Sequence, residues 1–390
     1  MRIIELFAGI GACSTALKRL GKNIEIVDAV EIDKYAMASF NAIHGTNFET
    51  QDITIWDKDF KDIDLITHGS PCQDFSVAGK QAGGDIGSGT RSSLLYETIR
   101  IVGKLRPKYV VWENVKNLLS KTHKHNFDNY IKTMNILGYN SYYQILNAKD
   151  YGIPQNRERI YTVSIRKDID NGNFKFPEKE PLKIVLKDLL ENKVDEKYYL
   201  KDYQIGNIKK SNYIQNQKRI QEKDYCDTLC ARDWKDSKRV RIGEIFDTEK
   251  SKHQAGSIYD KEGLAPSIDT MQGGNRQPKI LIKNATKKGY VEAVEGDSIN
   301  LAYPNSETRR GRVGHQVSQT LTVNNSIAVL DSKTRIRKLT PKECWRLMGF
   351  DDEDFYKAQS AGNSNSQLYK QAGNSIVVNV LEKIFLNLFN

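Results

Sequence analysis

The sequence predicts an α/β protein in which a parallel sheet is wrapped by helices and a smaller domain of short strands is inserted. Over residues 1–165, short apolar runs alternate with amphipathic stretches, as is typical of strands followed by helices. Beyond this region the chain becomes rich in Lys, Asn, Gln and Gly, and helical periodicity returns only at Leu339. We therefore predict one domain from residues 1–170 and 335–390, and a second, mostly β and irregular domain from residues 171–334.

The first region contains six predicted strands and four predicted helices. The strands are the apolar runs Ile3–Phe7, Ile24–Val30, Ile63–Thr67, Tyr109–Trp112, Tyr142–Leu146 and Ile160–Ile165. The helices are the amphipathic stretches Ala12–Leu20, Lys34–Ile43, Ser92–Leu105 and Phe127–Leu137. Ligands of such folds bind beyond the carboxyl ends of the strands. The loops after the first four strands should therefore carry the site.

The last segment has two helix signals. In Thr340-Pro341-Lys342-Glu343 an N-cap residue precedes a proline and an acid, which predicts a helix that runs through Leu347 and stops at Gly349. A final amphipathic helix is predicted over Ile376–Leu388, with Gly373-Asn374-Ser375 as its capped start. Because this tail has amphipathic helical stretches like those of the first region, we expect it to complete the first domain.

The central segment carries nearly all of the excess positive charge. The chain has a formal net charge of +10, of which +9 falls in residues 171–340. A solvated basic face and a binding surface for a polyanion such as DNA are both consistent with this. A weak Thr/Ser-Leu/Ile repeat occurs at residues 227–231, 267–270 and 319–322, and indicates either small repeated β units or chance similarity.

The cysteines and the apolar runs exclude several classes of protein. Five scattered cysteines do not suggest a disulfide framework. Cys226 and Cys230 lack a second pair at zinc spacing, so we expect no metal site. The longest apolar runs are far shorter than the roughly 20 residues needed to cross a bilayer, and Glu5 interrupts the apolar start, which argues against a signal peptide. We expect a cytoplasmic protein that is not bound to a membrane.

The first candidate motif is Phe7-Ala8-Gly9-Ile10-Gly11, between a strand and a helix. This arrangement indicates a nucleotide loop, although an ordinary tight turn is the alternative. Glu5 at the strand end would repel phosphates and attract an ammonium or sulfonium group. Glu31, after the second strand, suits ribose hydroxyls, and Asp52-Ile53 suits an adenine. A cationic nucleoside without phosphates is S-adenosylmethionine, which we predict as the cofactor.

The second candidate motif is the loop that carries Cys72. It reads Gly69-Ser70-Pro71-Cys72-Gln73-Asp74-Phe75-Ser76 and follows a predicted strand. A small buried thiol is the alternative, but a helix start or a cation nearby would favour a reactive thiolate. The glycine-rich stretch Gly79–Ser93 follows, and is either a loop that closes over a substrate or an ordinary surface loop.

Two further motifs bring an acid and a pair of arginines. Glu113, in Trp112-Glu113-Asn114-Val115, ends another strand and suits an acid/base role or a helix cap. Arg157 and Arg159 alternate along a strand and should share a face. Two converging guanidiniums suit contacts to phosphate or base oxygens, and an Arg–Glu edge strand is the alternative.

Together these motifs resemble the DNA (cytosine-5) methyltransferase family, of the bacterial or phage type. The resemblance covers residues 1–165 and 335–390, in the order and spacing of the family. It is carried by the motifs that contain Gly9, Glu31, Asp52, Cys72, Glu113 and Arg157, by Leu339-Thr340-Pro341-Lys342-Glu343-Cys344, and by Gln371-Ala372-Gly373-Asn374-Ser375. The basic segment falls where this family keeps its target-recognition domain.

The resemblance implies a Rossmann-like sheet, duplex DNA as substrate, and methyl transfer from S-adenosylmethionine to carbon 5 of a flipped-out cytosine. S-adenosylhomocysteine would be the product, and no metal would take part. Cys72 would attack C6, Glu113 would contact N3 and the exocyclic amine, and Arg159, with Arg157 beside it, would contact O2. The cofactor would contact Phe7, Ala8, Gly9, Ile10, Gly11, Glu31, Ile32, Asp52, Ile53, Pro71, Leu94, Asn374 and Ser375.

The sequence departs from the family pattern in small ways and leaves alternatives open. Glu5 replaces a common Asp, Ala12-Cys13 follows Gly11 where a second Gly is usual, and Ile32 stands where some members have an aromatic residue. An RNA (tRNA) cytosine-5 methyltransferase of the same fold and a catalytically inactive DNA-binding protein are the alternatives. We expect a monomer, with a cognate restriction endonuclease as an open partner and the recognised DNA sequence undetermined.

Overall fold

The computed structural model describes residues 1–71, 94–200, 241–244, 257–259, 280–286, 289–303, 306, 308–323, 326–331 and 336–389. Cys72, Cys226, Cys230, the Gly79–Ser93 loop and the first two copies of the repeat lie outside these residues. The chain divides into two compact units. The first unit is Met1–Leu189, Thr320–Asn325 and Thr340–Asn390, and the second unit is Leu190–Gln319 and Ser326–Leu339.

A six-stranded sheet forms the centre of the first unit. The strands of this unit are β1 (Arg2–Leu6), β2 (Glu25–Val30), β3 (Leu65–His68), β4 (Tyr109–Val115), β5 (Tyr139–Asn147), the two-residue β6 (Gln155–Asn156) and β7 (Glu158–Arg166). The order in the sheet is β2-β1-β3-β4-β7-β5. The strands β2, β1, β3 and β4 pair in parallel, whereas β7 is antiparallel to both of its neighbours.

The predicted parallel pairing therefore holds for β2, β1, β3 and β4, and β7 makes the sheet mixed. The connection from Asn147 to Glu158 contains a single turn of 3-10 helix and no crossover helix. A parallel neighbour needs a long crossover, whereas an antiparallel neighbour can follow a short link. The reversal places the beginning of β7, with Arg159, at the same edge of the sheet as the end of β4.

Helices cover the sheet and supply the rest of the core. They are α1 (Ala12–Arg19), α2 (Lys34–His44), α3 (Leu95–Leu105), α4 (Lys124–Ile136), α5 (Pro341–Arg346), α6 (Asp352–Ser360), α7 (Asn365–Asn374) and α8 (Val378–Leu388). One large cluster joins apolar side chains of β1, β3 and β4 to those of α3 and α4, with Trp112, Phe127 and Tyr130 at its centre. Burying these three rings removes a large apolar area from water.

The C-terminal segment confirms one helix start and corrects another. Thr340 and Glu343 form the predicted capping box, and α5 is followed by Gly349 with φ of 83°. Gly373 and Asn374, however, end α7 instead of starting the last helix, and Ser375 is the C-cap of α7. The prediction was wrong because polar residues and a glycine mark helix ends as well as helix starts.

The second unit consists of short strands. They are β8 (Arg241–Glu244), β9 (Ser257–Tyr259), β10 (Ile280–Lys283), β11 (Tyr290–Ala293), β12 (Ser298–Asn300), β13 (Val313–Gly314), β14 (Ser318–Gln319), β15 (Ile327–Leu330) and β16 (Ile336–Lys338). A sheet in the order β13-β12-β15-β16 is antiparallel throughout. A small core of the second unit joins Ile282 of β10 and Ala293 of β11 to Ile299, Leu330 and Ile336 of this sheet. Among the described helices of the chain, none is long and apolar enough to cross a membrane.

Candidate active site

The candidate site residues of β1, β2, β4 and β7 lie at one edge of the sheet of the first unit. Leu6 at the end of β1 pairs with His68, and His68 pairs with Trp112 near the end of β4. Val115, the last residue of β4, pairs with Arg159. We call the part of this edge that carries Glu5 and Glu31 the β1–β2 end, and the part that carries Glu113 and Arg159 the β4–β7 end.

The loop after β1 has an unusual backbone conformation. Phe7, Gly9 and Gly11 have φ values of 52°, 56° and 81°, all in the left-handed region. The glycines tolerate this region, but Phe7 is strained in it. Gly11 has a second constraint, because a Cβ there would collide with the ring of His44. Burial lowers the pKa of His44 to about 3, so this ring lies against the loop in its neutral form.

Glu5 is a buried acid at the end of β1. Its side chain is 3% exposed, and it accepts hydrogen bonds from the Ser14 main-chain N–H at 3.1 Å and from the Ser14 hydroxyl. Burial raises the pKa of Glu5 to about 7, despite the opposing hydrogen bonds from Ser14. A cationic ligand beside this carboxyl group would favour its ionised form.

Glu31 follows β2 and points back toward the same loop. Its carboxylate accepts hydrogen bonds from the main-chain N–H groups of Gly9 at 3.0 Å and Asp33 at 2.8 Å. Burial raises the pKa of Glu31 as well. These bonds tie the glycine loop to the end of β2. The neighbouring Ile32 is 70% exposed.

The segment after β2 places Asp52 and Ile53 differently. Asp52 accepts hydrogen bonds from the Thr54 N–H at 2.9 Å and the Thr54 hydroxyl at 2.8 Å, and these bonds lower the pKa of Asp52. Ile53 is 5% exposed and belongs to the large core, against which the half-buried Leu94 also packs. Ile53 thus packs in the core, and its predicted contact with adenine stays a prediction.

Sequence reasoning missed Asp28, which anchors residues 51–58 to β2. Asp28 lies in β2 and is 1% exposed. It accepts hydrogen bonds from the Gln51 amide at 2.7 Å and the Trp56 indole at 2.9 Å, and the Lys58 ammonium lies 2.9 Å away. The available signal was an acid within an otherwise apolar strand, because a buried carboxylate needs partners.

Glu113 and Arg159 form an ion pair at the β4–β7 end. The Arg159 Nε lies 3.1 Å from the Glu113 Oε1, and the two side chains are 15% and 11% exposed. Gly69 lies beside them, since an ideal Cβ on Gly69 would be 3.9 Å from the Glu113 Oε2. The acid, the guanidinium and the start of the Cys72 loop are therefore neighbours.

Strand β4 also holds the segment that leads to Cys72. The Trp112 indole donates a hydrogen bond to the Ser70 hydroxyl at 3.1 Å, and the Asn114 amide donates to the Ser70 carbonyl at 3.2 Å. These two side chains flank Glu113 in the strand. Ser70 is 3% exposed and Pro71 is half-buried. The sequence analysis gave Trp112 and Asn114 no role of their own.

Arg157 does not have the environment that the sequence suggested. It is 4% exposed, and its guanidinium donates to the carbonyls of Leu321 at 3.3 Å, Gly373 at 3.3 Å and Ser375 at 2.8 Å. A guanidinium committed to main-chain carbonyls differs from the expected phosphate or base contact. Ser375 is buried, whereas Asn374 is exposed. In the described part of the chain, no group of His, Cys, Asp and Glu side chains could hold a metal ion.

The whole chain, residues 1–390, matches the family described as C-5 cytosine-specific DNA methylase. The orphan methyltransferase M.SPBetaI of Bacillus phage SPbeta is 34% identical to it, over 100% of this chain and 98% of that protein. The type II methyltransferase M.HhaI of Haemophilus parahaemolyticus is 33% identical, over 100% of this chain and 94% of that protein.

Solved structures show the same fold. A Spodoptera frugiperda DNMT2 variant matches with a TM-score of 0.56 at 19% identity, over 100% of this chain and 99% of that one. Dnmt2 of S. pombe matches with a TM-score of 0.53 at 17% identity, over 100% and 98%. The chain belongs to the C-5 cytosine-specific DNA methylase family.

Proposed function

We propose that the chain transfers a methyl group from S-adenosylmethionine to carbon 5 of cytosine in duplex DNA, through a covalent bond between Cys72 and C6. The observation that carries the proposal is the β4–β7 end. There a buried carboxylate is paired with a guanidinium beside the segment that leads to Cys72. Both groups suit a pyrimidine ring, which offers N3 and an exocyclic amine on one side and O2 on the other.

The residues of the β4–β7 end divide the work on the ring. Cytosine C5 is a weak nucleophile, and addition of the Cys72 thiolate to C6 makes C5 electron-rich. Glu113 contacts N3 and the exocyclic amine and exchanges a proton at N3 as charge builds on the ring. Arg159 stabilises negative charge at O2. Once C5 carries the methyl group, loss of its proton expels the Cys72 sulfur and restores the aromatic ring.

The β1–β2 end fits S-adenosylmethionine. Glu5 is a buried carboxyl group with a raised pKa, which a cation would complement, and Glu31 holds a carboxylate against the glycine loop. Two acids at this end disfavour a phosphate group. When bound, S-adenosylmethionine supplies an electrophilic methyl group for C5. The other proposed contacts are Phe7, Ala8, Ile10, Ile32, Asp52, Ile53, Pro71, Leu94, Asn374 and Ser375.

Duplex DNA as substrate requires that the target base leave the helix. The C5 and C6 atoms are not accessible to this chemistry in a stacked duplex, and flipping the base out costs roughly a few kcal/mol. The excess positive charge of residues 171–340 supplies attraction for the phosphate backbone. We propose that this segment is the target-recognition domain. Because the relatives include both orphan and type II enzymes, a restriction endonuclease partner is not part of the proposal.

The experiment that tests the proposal measures incorporation of labelled methyl groups from S-adenosylmethionine into duplex DNA and into tRNA. We expect transfer to duplex DNA, and transfer to tRNA alone would favour an RNA enzyme of the same fold. A Cys72→Ser variant should bind cofactor and DNA but lose methyl transfer. Full activity of this variant would refute the proposed covalent mechanism. Bisulfite sequencing of DNA from expressing cells would identify the methylated sequence.

A further inference from the structure

All three residues of the segment Gln155-Asn156-Arg157 form hydrogen bonds with one short stretch of chain, Thr320-Leu321. The Gln155 side-chain oxygen accepts a hydrogen bond from the Leu321 N–H at 3.0 Å, and Arg157 donates to the Leu321 carbonyl at 3.3 Å. The Asn156 carbonyl accepts a hydrogen bond from the Thr320 hydroxyl at 2.9 Å. Both polar groups of Leu321 are thus satisfied by this segment, and its side chain is 2% exposed.

The same side chains also bind the C-terminal segment. The Gln155 amide, which is fully buried, donates to the Leu347 carbonyl at 2.7 Å, directly after α5. Arg157 donates to the carbonyls of Gly373 and Ser375, where α7 ends. Three stretches that are distant in sequence therefore meet at Gln155 and Arg157: residues 320–321, the end of α5 and the end of α7.

Gly373 shows how closely these stretches approach each other. An ideal Cβ on Gly373 would lie 2.6 Å from the Thr322 carbonyl carbon and 2.7 Å from the Val323 nitrogen. Real Cβ atoms do not approach main-chain atoms so closely, so any larger residue would displace residues 322–323 or the end of α7. Gly373 is therefore required here for space.

Residues 320–325 belong to a different unit from the residues on either side of them in the chain. These residues belong to the first unit, although the residues on both sides of them, up to Gln319 and from Ser326, belong to the second unit. They include residues 320–322 of the third copy of the Thr-Leu repeat, which the sequence predicted to lie in the central domain. The first unit thus retains one short stretch of the chain that otherwise forms the second unit.

We propose that Gln155-Asn156-Arg157 is a docking segment for Thr320-Leu321, and that Arg157 is a positioning residue that does not contact DNA. This inference rests on the proposed function and gives the two arginines different roles. Arg159 contacts the base, whereas Arg157 holds Leu321 and the end of α7 in place. The rival role is a phosphate contact by Arg157. A phosphate contact needs only the positive charge, whereas docking needs a planar group that reaches three carbonyls.

The test compares the full-length chain with Arg157→Lys, Arg157→Gln and Gly373→Ala variants. Gly103→Ala is the matched control. Gly103 lies within α3, and a Cβ on it would meet the Leu137 side chain at an ordinary distance of 3.5 Å. Each protein is checked by thermal unfolding. We then measure single-turnover methylation, the affinity for S-adenosylhomocysteine, and the salt dependence of binding to a duplex that contains the methylated site.

Docking predicts that Arg157→Lys and Gly373→Ala both slow methylation, on the order of 100-fold, because small displacements of a catalytic group are costly. The double variant should be no slower than the slower single variant, since both changes disrupt one assembly. The slope of log affinity against log salt should be unchanged in Arg157→Gln. Gly103→Ala should behave as the wild type.

A phosphate contact gives different results and would overturn the inference. Arg157→Lys would then keep most of the activity, because lysine also binds phosphate, and Arg157→Gln would lower the salt slope by about 1. Wild-type rates in Gly373→Ala would overturn it equally. Failure of the proposed function would instead appear in the wild type, as absence of methyl transfer to duplex DNA. If the wild type does not methylate duplex DNA, the affinity for S-adenosylhomocysteine still tests docking. Arg157→Lys and Gly373→Ala should both lower this affinity, because both displace the end of α7, where the proposed cofactor contact Ser375 lies.

Discussion

The two ends of the sheet edge hold their carboxyl groups in different ways. At the β1–β2 end, Glu5 and Glu31 accept hydrogen bonds from main-chain N–H groups, and neither forms an ion pair with any described residue. At the β4–β7 end, Glu113 lies against the guanidinium of Arg159. The first end therefore lacks a cation that a ligand can supply, whereas the second is already compensated and suits an uncharged polar ring. One edge can thus bind a cationic cofactor and a neutral base side by side.

The largest loss of methylation rate is expected when Glu113, the acid of the β4–β7 end, is replaced. Glu113→Gln keeps the shape of the side chain but removes the group that exchanges a proton with N3, so the single-turnover rate should fall about 10²- to 10⁴-fold. Cofactor affinity, which depends on the other end of the edge, should change little and serves as the control. A rate close to that of the wild type would exclude Glu113 from the chemistry.

Arg159 should have the next largest effect. Arg159→Lys keeps a positive charge but loses the fixed planar geometry, and we expect the rate to fall about 10²-fold. Because Glu113 and Arg159 are in contact, the double variant Glu113→Gln/Arg159→Lys should lose less than the product of the two single losses. Rapid-quench measurement of all four proteins tests this. Strictly independent effects would contradict the ion pair as a functional unit.

At the β1–β2 end, the prediction concerns pH. The pKa of Glu5 is raised to about 7, so the carboxyl group is mostly protonated at pH 6 and mostly ionised at pH 8. An ionised Glu5 attracts a cation, so cofactor affinity should rise about tenfold from pH 6 to pH 8. Titration calorimetry should show this dependence in the wild type and a much flatter one in Glu5→Gln. The same pH dependence in both proteins would exclude Glu5 as its source.

The smallest effect concerns the backbone that connects β1 to α1. Gly9 and Gly11 both have positive φ, but a Cβ on Gly9 would meet no atom within 4 Å, whereas one on Gly11 would collide with His44. Gly9→Ala should destabilise the fold by about 1–2 kcal/mol through its backbone conformation alone. Gly11→Ala should cost more and weaken cofactor binding further. Thermal unfolding measures both, and equal losses would show that His44 does not constrain the loop.

Local structure in the first region could be predicted from the sequence because it depends on short-range patterns. The six apolar runs lie in strands of the central sheet, and the four amphipathic stretches correspond to α1 through α4. The capping box at Thr340 was predicted for the same reason, since its two hydrogen bonds link residues three apart in the chain. Such features form between residues that are close in the sequence, so the sequence pattern is enough to predict them.

The errors arise where distant residues meet. An apolar run records burial but not strand direction, so the reversal of β7 was not predicted. The polar stretch Gly373-Asn374-Ser375 has the composition of a helix boundary, and only the observed α7 shows that it is an end. Arg157 illustrates the same limit, because nothing in its neighbours predicts three carbonyl partners from residues 321–375.

The sequence by itself determined the order of elements, the chemistry of the candidate side chains and the family to which they point. It did so because each motif combines a residue type with a local structure that nearby residues encode. Only the tertiary structure decided which acid is paired, which arginine is committed to the backbone, and that residues 320–325 belong with the first unit. Such pairings depend on distances across the fold, and those distances result from the packing of the whole chain.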